Sequence, residues 1–365
     1  FFLFLCTKYK TMAAALEVKI EKVQHSRLEN TTLENIPFGR VFTDHMFEAD
    51  YIDGVWTNVV IRPYQPLQFD PSLAALHYGQ SIFEGVKAYK SDAGEVNIFR
   101  PQDNYRRFNI SAVRMCMPEV PEAIFMEGMR LLINLDRDWV PAMADHSLYI
   151  RPFMFATDPV IGVKPSDNYK FMILLSPTGP YYSTPMKIYV EETYTRAAPG
   201  GVGFAKNAGN YAASMLATQK AKEAGYDQVL WTDAFEHKYL QEVGTMNVFF
   251  VVGNKVVTPE LNEGTILEGV TRDSAITVLK EMGMEVKEVK ITIDELIAFQ
   301  KQGVLHEVFG TGTAATISKI KELRYKDYSM HFDTDNAGVA KELKDRLTAI
   351  RYATAPDTHH WLFKV

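Results

Sequence analysis

The stretch GGVGFAKNAGNYAASMLATQKAKEA, residues 200–224, determines the fold class of this chain. It opens with a glycine-rich loop and continues into a segment rich in alanine, lysine and methionine, which favours a helix over 210–224. Gly225 is expected to end that helix. The flanking stretches MKIYVE (186–191) and DQVLWT (227–232) are predicted to be strands. Strand, loop, helix and strand in this order predict a mixed α/β structure.

The same mixture continues towards the C-terminus. NVFFVV and KVVT are predicted to form a strand pair joined by the turn Gly253-Asn254. Thr292 and Glu295 have the spacing of a capping box, which predicts that a helix begins there and runs to about residue 301. We also expect a helix over 270–282, a strand over 304–309 and a Gly-Thr-Gly-Thr loop over 310–313.

The N-terminal half also mixes strands and helices. Apolar stretches at 147–157 and 168–176 predict strands, and the apolar spacing between residues 121 and 139 is helical. The Pro-Gly-rich stretch 177–185 is the best linker in the sequence. We therefore expect a two-domain α/β (α+β) protein with three parts: an N-terminal extension at 1–30, a small α/β domain at 31–180 and a large domain at 181–365.

Composition excludes several classes of protein. The 365 residues include 39 basic and 45 acidic side chains, a net charge of -6, so the basic surface of a nucleic-acid binder is not expected. No apolar run reaches the ~18 residues that span a membrane. The two cysteines, Cys6 and Cys116, have no metal-ligand spacing, which argues against a structural zinc site and a disulfide framework and favours the cytoplasm.

The first residues, FFLFLC, are apolar but lack the basic segment and the cleavage site of a signal peptide. The first methionine is Met12. We expect the native chain to begin at Met12, with residues 1–11 lying outside it.

Lys206 is the first candidate for chemistry. Most lysines are solvated surface charges, but glycines flank this one on both sides and a predicted helix follows it. A partly desolvated lysine has a lowered pKa, and its amine becomes a nucleophile that can form an imine with a carbonyl compound.

Glu242, directly before an apolar strand, has two interpretations. It is either an exposed carboxylate at a strand end or the anionic partner of a buried pyridine nitrogen.

Two short stretches could bind an anion such as a phosphate. Gly269-Val270-Thr271 opens a predicted helix, where free backbone N–H groups favour an anion, and the loop at 310–313 offers hydroxyls and amides. Arg107 could add a bidentate contact, but Arg106 and Arg114 are equal candidates on composition.

Tyr149 and Arg151 lie two residues apart on one side of a predicted strand. An arginine that faces inward is costly unless it meets an anion. That anion is either the carboxylate of a substrate or a buried structural carboxylate of the chain.

Taken together, nine segments between about Pro37 and Ser318 resemble the branched-chain amino acid aminotransferases, which are fold-type IV pyridoxal-phosphate enzymes. The segments are IPFGRVFTDHM, LHYGQSIFEGVKAY, SAVRMCMP, SLYIRPF, GNYAASM, QVLWTD, EVGTMN, ILEGVTR and FGTGTA. So many segments in the same order make the resemblance specific.

The resemblance implies a role for each matching residue. Lys206 corresponds to the catalytic lysine that holds pyridoxal 5'-phosphate covalently, and Glu242 to the partner of the pyridine nitrogen. The other implied cofactor contacts are Tyr211 at the phenolic oxygen and Arg107, Val270, Thr271 and Thr313 at the phosphate. The implied substrate positions are Phe38, Tyr78, Phe83, Tyr149, Arg151, Tyr181, Thr245 and Ala314. Ile161 and Val163 match residues that the other subunit inserts into the pocket, which implies a homodimer.

The reaction that the resemblance implies is transamination of L-leucine, L-isoleucine and L-valine with 2-oxoglutarate, with Arg151 meeting the second carboxylate of the acceptor. Mammalian members carry a CxxC motif after the second phosphate loop, where this chain has ATIS at 315–318, so no thiol switch of that kind is expected. The alternatives are a D-amino acid aminotransferase, an aminodeoxychorismate lyase, or an inactive binding protein that kept the fold.

Overall fold

The computed structural model describes residues 16–34, 36–180, 184–336 and 338–365. The predictions for residues 1–11, Cys6 and Tyr181 lie outside these ranges. Within them, the search for a helix long and apolar enough to cross a membrane finds none.

The strands of the first half of the chain form one sheet, here called the N-terminal sheet. It runs in the order β1-β3-β2-β8-β7-β5-β6, with β4 paired to β7, and every pair except β1–β3 is antiparallel. Its strands are β1 (Lys19–Ile20), β2 (His45–Ile52), β3 (Val55–Pro63), β4 (Ser81–Phe83), β5 (Val86–Lys90), β6 (Val96–Phe99), β7 (Ser147–Ala156) and β8 (Tyr169–Thr178).

Helices cover this sheet because their apolar residues recur at helical spacing. Phe108 packs against Phe171 of the sheet with ring centroids 5.5 Å apart, and Phe125 packs against the same ring at 5.8 Å. The helices of this half are α1 (Ala74–Tyr78), α2 (Pro101–Arg114) and α3 (Gly128–Leu135). The helix predicted between residues 121 and 139 consists of three consecutive segments: a π-helical turn (Ala123–Glu127), α3 and a 3-10 turn (Arg137–Trp139).

The second half of the chain forms the C-terminal sheet. Its order is β11-β10-β9-β16-β15-β12-β13-β14, with β17 paired to β16, and a further pairing of β11 with β12 closes part of the sheet into a ring. Its strands are β9 (Met186–Val190), β10 (Gln228–Thr232), β11 (Leu240–Val243), β12 (Met246–Val252), β13 (Lys255–Pro259), β14 (Glu285–Val289), β15 (Leu305–Gly312), β16 (Thr316–Tyr325) and β17 (Tyr328–His331).

Helices pack on both faces of the C-terminal sheet. Adjacent residues of a strand point to opposite faces, so Phe249 of β12 packs with α6 and α8 while Phe250 packs with α7. The helices of this half are α4 (Ala208–Ala213), α5 (Met215–Glu223), α6 (Val270–Glu281), α7 (Ile293–Lys301) and α8 (Val339–Arg351). This mixture of sheets and helices confirms the predicted α/β class.

Two terminal segments bear on the domain prediction. The last strand, β18 (Leu362–Lys364), pairs with β6 of the N-terminal sheet, and β1 lies in the segment that was expected to be an extension. The two sheets otherwise separate between Thr178 and Met186. The division into parts at residues 30 and 180 stays a prediction.

Several local predictions are confirmed. Thr292 Oγ1 accepts from the Glu295 N–H, and the Glu295 carboxylate accepts from the Thr292 N–H, so the capping box is complete and α7 begins there. The strand pair β12–β13 turns at Gly253, whose φ is +59°.

Three predicted boundaries are wrong. The helix predicted over 210–224 consists of two helices, α4 and α5, which meet at Ser214, where the Ser214 hydroxyl donates to the Tyr211 carbonyl at 2.8 Å. The loop predicted over 310–313 is a strand as far as Gly312, because that segment pairs with β12 on one side and β16 on the other. The linker predicted from residue 177 begins later, because β8 continues to Thr178.

Candidate active site

A cavity of about 540 Å³ lies where the two sheets meet. Its walls come from β4 and β7 of the N-terminal sheet, from α4 and the start of α6, and from the turn between β15 and β16. The site is therefore formed by segments that are far apart in the sequence.

Lys206 is held at the centre of this cavity by its backbone. Its N–H donates to Ser111 Oγ of α2 at 2.9 Å, and its carbonyl accepts from the Phe83 N–H at 3.0 Å. Its Nζ donates to the Tyr211 hydroxyl at 2.6 Å and lies 4.8 Å from the centroid of the Phe83 ring. The amine is thus fixed between two aromatic rings, with one hydroxyl partner.

Glu242, in β11, does not line this cavity; it lies in a small adjoining pocket that shares Tyr211 with the cavity. It is 3% exposed, its Oε1 accepts from the Leu267 N–H at 2.7 Å, and its Oε2 lies 3.2 Å from Arg196 Nε. Burial raises the pKa of Glu242 above its usual range, against the opposing effects of Arg196, the Leu267 N–H and Lys206. The interpretation of Glu242 as an exposed carboxylate is excluded.

Arg107 lines one end of the cavity and is paired with Glu84. Its Nε and Nη2 donate to the two oxygens of Glu84 at 2.7 and 2.9 Å, and its Nη1 donates to the Glu268 carbonyl at 2.8 Å. Burial works against the charge of Arg107, but Glu84 outweighs it and raises the pKa of the guanidinium. Arg106 is exposed on the same helix, and Arg114 donates to the carbonyls of Gly200 and Gly201, so Arg107 alone of the three lines the cavity.

The first turn of α6 faces the same end of the cavity. Val270 and Thr271 are its first two residues, and Gly269 caps it without a side-chain hydrogen bond, so the N–H groups of this turn have no capping side chain. A Cβ on Gly269 would lie 2.0 Å from Asn247 Oδ1, so only glycine lets the turn approach this closely. Thr313 also lines the cavity.

Thr311 is a buried hydroxyl at this end of the cavity. It is 1% exposed, it lines the cavity, and its Oγ1 has no hydrogen-bond partner among the residues that the structure describes. A buried polar atom of this kind favours a ligand that can satisfy it.

The other end of the cavity is aromatic and carries Arg151. Tyr149 and Arg151 lie on the same side of β7, as predicted, and Arg151 Nη2 donates to the Tyr149 hydroxyl at 3.0 Å. The Arg151 guanidinium lies 4.6 Å from the centroid of Phe83, and within the described ranges no ion pair joins it to a carboxylate. Of the predicted substrate positions, those that line the cavity are Phe38, Phe83, Tyr149, Arg151, Thr245 and Ala314.

Three other predicted substrate residues lie away from the cavity of this chain. Tyr78, at the end of α1, is 40% exposed, and Ile161 and Val163, in the loop after β7, are 72% and 91% exposed. Tyr181 lies outside the described residues.

Sequence reasoning missed the charged partners of the predicted residues. Glu84 is fully buried against Arg107, and Arg196, with 9% of its side chain exposed, lies against Glu242. The available signal for Glu84 was a carboxylate between an aromatic residue and a glycine in an apolar stretch, FEGV. In the described part of the chain, no group of three or more histidine, cysteine, aspartate or glutamate residues could hold a metal ion.

Comparison with known proteins agrees with this geometry. Residues 81–323 match the sequence profile of the family Amino-transferase class IV. A relative from Bacillus subtilis (strain 168), Branched-chain-amino-acid aminotransferase 2, is 49% identical over 335 residues, which are 90% of this chain and 92% of the relative. The chain belongs to the branched-chain aminotransferases of class IV. The resemblance that the motifs indicated is thereby confirmed.

Other branched-chain aminotransferases match over a similar length. Branched-chain-amino-acid transaminase 1 of Bacillus subtilis (strain 168) is 48% identical over 91% of this chain and 94% of its own. A solved structure of the T.th. branched-chain amino acid aminotransferase, complexed with N-(5'-phosphopyridoxyl)-L-glutamate, has a TM-score of 0.69 and 28% identity, covering 86% of this chain and 97% of that chain.

The cofactor of this class is pyridoxal 5'-phosphate, and the residues of this branched-chain aminotransferase fit it. A phosphate needs several N–H and O–H donors. One end of the cavity offers the uncapped turn of α6, the Arg107 guanidinium and the Thr311 hydroxyl, which has no hydrogen-bond partner among the described residues. The Lys206 amine lines the cavity, and the buried Glu242 carboxylate lies in the adjoining small pocket beside Tyr211, which fits the aldehyde and the ring nitrogen of the cofactor.

Proposed function

We propose that this chain transfers the amino group of L-leucine, L-isoleucine and L-valine to 2-oxoglutarate, using pyridoxal 5'-phosphate and producing L-glutamate. One observation carries the proposal: a single cavity holds the Lys206 amine between an end rich in anion donors and an aromatic wall with Arg151, which forms no ion pair within the described residues. The names of the Bacillus subtilis relatives support the same reaction.

The cofactor would be held at three places. Arg107, the N–H groups of Val270 and Thr271, and the Thr313 hydroxyl would bind its phosphate. Tyr211 would donate to its phenolic oxygen, and Glu242 would face its ring nitrogen. Glu84 is a positioning residue for Arg107, because it fixes the plane of the guanidinium through two hydrogen bonds.

When bound, pyridoxal 5'-phosphate supplies an aldehyde for the amino group and a ring that withdraws electrons from the substrate Cα. Lys206 would remove the proton from Cα, as its Nζ is held at one position by Tyr211 and its backbone is fixed at both ends. Glu242 would hold a proton at the ring nitrogen, because a buried carboxylate stabilises a positive charge beside it.

The aromatic wall would bind both kinds of substrate, the branched-chain amino acids and 2-oxoglutarate. Phe38, Phe83 and Tyr149 would contact a branched aliphatic side chain, and Phe38 already packs edge-on against Tyr149 at 4.8 Å. Arg151 would pair with the second carboxylate of 2-oxoglutarate or glutamate, since its guanidinium has no carboxylate of the described chain within ion-pair distance.

Replacement of Arg151 by methionine should separate the two substrates. We expect KM for 2-oxoglutarate to rise about 10- to 100-fold, the effect of losing a charged hydrogen bond, while KM for L-leucine changes little. The two half-reactions are measured separately by stopped-flow absorbance. Arg106→Met, which removes an exposed arginine from α2, is the control. Equal changes in both half-reactions would contradict this role.

We also propose a homodimer in which each subunit completes the other's site. Tyr78, Ile161 and Val163 are large apolar or aromatic residues that stay exposed in one chain, and such residues favour an interface. The cytoplasmic location stays a prediction that rests on the use of cysteine.

The experiment that tests the function compares amino donors. The purified protein with pyridoxal 5'-phosphate is assayed with 2-oxoglutarate and either L-leucine, L-isoleucine, L-valine or D-alanine. We expect turnover with the three L-amino acids and little with D-alanine. The reverse preference would identify a D-amino acid aminotransferase, and no turnover with any of them, together with release of pyruvate from aminodeoxychorismate, would identify the lyase.

A further inference from the structure

The backbone of Lys206 is held on both sides by the N-terminal half of the chain. Its carbonyl accepts from the Phe83 N–H at 3.0 Å, and its N–H donates to Ser111 Oγ of α2 at 2.9 Å. Of these two contacts, only the one with Ser111 comes from a side chain. A substitution at Ser111 can therefore change the placement of Lys206 while leaving Lys206 itself in the protein.

The Ser111 hydroxyl forms hydrogen bonds in two directions. Its Oγ donates to the Arg107 carbonyl, four residues earlier in α2, at 3.1 Å, and accepts from the Lys206 N–H. Ser111 is 0% exposed and does not line the cavity. A hydroxyl has one hydrogen to donate and lone pairs that accept. Because the hydrogen is directed to the Arg107 carbonyl, the lone pairs are left for Lys206.

The stability of α2 does not explain a serine at this position. Alanine is more favourable than serine in the interior of a helix. A serine hydroxyl that bonds to the carbonyl four residues earlier slightly destabilises a helix. What an alanine would lose between segments is the contact with Lys206, 95 residues away in the sequence.

Ser111 places two groups of the site on one turn of α2. Arg107 lines the cavity at the end proposed for the phosphate and lies one turn before Ser111. Residues four apart lie on the same face of a helix, with a rise of about 6 Å between them. The separation between Arg107 and the backbone of Lys206 thus depends on one rigid helical turn and one hydrogen bond.

We propose that Ser111 is a positioning residue for Lys206, which sets the distance from Arg107 to the Lys206 amine so that the amine reaches the aldehyde carbon of pyridoxal 5'-phosphate. The bond between Lys206 Nζ and that carbon forms with loss of one water. One rigid ring carries both the phosphate and the aldehyde, so Arg107 and Lys206 must match their separation. The inference rests on the proposed function, because it needs a cofactor with both groups.

The test compares how the full chain and its Ser111→Ala variant bind two forms of the cofactor. Pyridoxamine 5'-phosphate has the same ring and phosphate but carries an amine in place of the aldehyde, so it forms no covalent bond with Lys206. We expect the dissociation constant of pyridoxal 5'-phosphate to rise about tenfold in the variant, because the Lys206 N–H loses its partner. The dissociation constant of pyridoxamine 5'-phosphate should stay within about twofold of the wild type. Equilibrium dialysis measures both constants.

The same displacement of Lys206 should slow the transfer of the Cα proton. With saturating cofactor, kcat for L-leucine and 2-oxoglutarate should fall about tenfold or more, because a small misplacement of a reacting group has a large effect on the rate.

The matched control is Thr258→Val. Thr258 is also 0% exposed, and its Oγ1 donates to the Val248 carbonyl at 2.8 Å within the C-terminal sheet. It does not line the cavity. This variant also loses a buried hydroxyl and its hydrogen bond to a backbone group, and both dissociation constants and kcat should match those of the wild type.

Three results would overturn the role of Ser111: equal losses of affinity for the two cofactor forms, unchanged affinity for both, or a Ser111→Ala protein that fails to fold. Reduction with borohydride keeps this test apart from the proposed function, because it should link pyridoxal 5'-phosphate irreversibly to Lys206 of the wild type. A wild type with that link and an unaffected Ser111→Ala variant contradicts only the inference, while a wild type without the link contradicts the proposed function.

Discussion

Lys206→Ala is expected to lower the rate of transamination by more than about a thousandfold, because it removes the group that would carry the cofactor and move the Cα proton. The loss should appear in both half-reactions. The absorbance of the bound cofactor should also lose its dependence on pH and resemble that of free pyridoxal 5'-phosphate. Stopped-flow assays and absorbance spectra at several pH values measure both effects.

A matched control for this variant lies in the next helix. Lys220 of α5 donates to the Tyr194 hydroxyl at 2.7 Å and lies 4.9 Å from the centroid of that ring, a geometry close to that of Lys206 and Tyr211. Lys220→Ala therefore removes a lysine–tyrosine contact far from the cavity and should leave turnover unchanged. Substantial activity in Lys206→Ala would refute the assignment of the catalytic residue.

Glu242→Gln is expected to lower kcat by about 100-fold or more, the size of effect seen when a group that stabilises transition-state charge is removed. Glutamine can still accept the Leu267 N–H, so the local backbone should keep its position. It carries no charge, however, and cannot hold a proton at the ring nitrogen of the cofactor. Binding of pyridoxal 5'-phosphate, followed by equilibrium dialysis, should be largely retained because its phosphate contacts lie elsewhere.

The control for Glu242→Gln is Glu191→Gln. Glu191 is 6% exposed at the end of β9 and accepts the N–H groups of Thr193 and Tyr194, so it is also a buried carboxylate at a strand end. Unlike Glu242, which shares a small pocket with Tyr211, Glu191 lines neither that pocket nor the cavity, and its replacement should leave kcat unchanged. A Glu242→Gln enzyme with the kcat of the wild type would exclude the proposed role of this carboxylate.

Local elements were predictable because their causes lie within a few residues. The capping box at Thr292 needs only a glutamate three residues later, and the turn at Gly253 needs a residue that tolerates positive φ. The strand at Gly310–Gly312 was missed because glycine and threonine in a short run indicate a loop, while two neighbouring strands supply the hydrogen bonds that keep the segment extended.

The candidate site also combines features that the sequence indicates with features that only the fold reveals. The resemblance selected Arg107, whereas composition left it equal to Arg106 and Arg114. The reason for the difference among the three is visible only in the fold, where Arg107 alone meets a fully buried carboxylate, Glu84. The exposure of Tyr78, Ile161 and Val163 was likewise visible only in the fold, and we propose that a partner subunit covers these residues.

The sequence by itself determined the family and most of the strands and helices, and it indicated a lysine and a glutamate for the active site. It could do so because motifs and hydrophobic periodicity depend on residues that are close together in the chain. Only the tertiary structure decided which polar groups are buried together. Arg107 pairs with Glu84, 23 residues away in the sequence, and Lys87 bonds to the Ala314 carbonyl, 227 residues away. The physical reason is that desolvation and hydrogen bonding depend on distance in space, and residues far apart in the sequence become neighbours only in the folded chain.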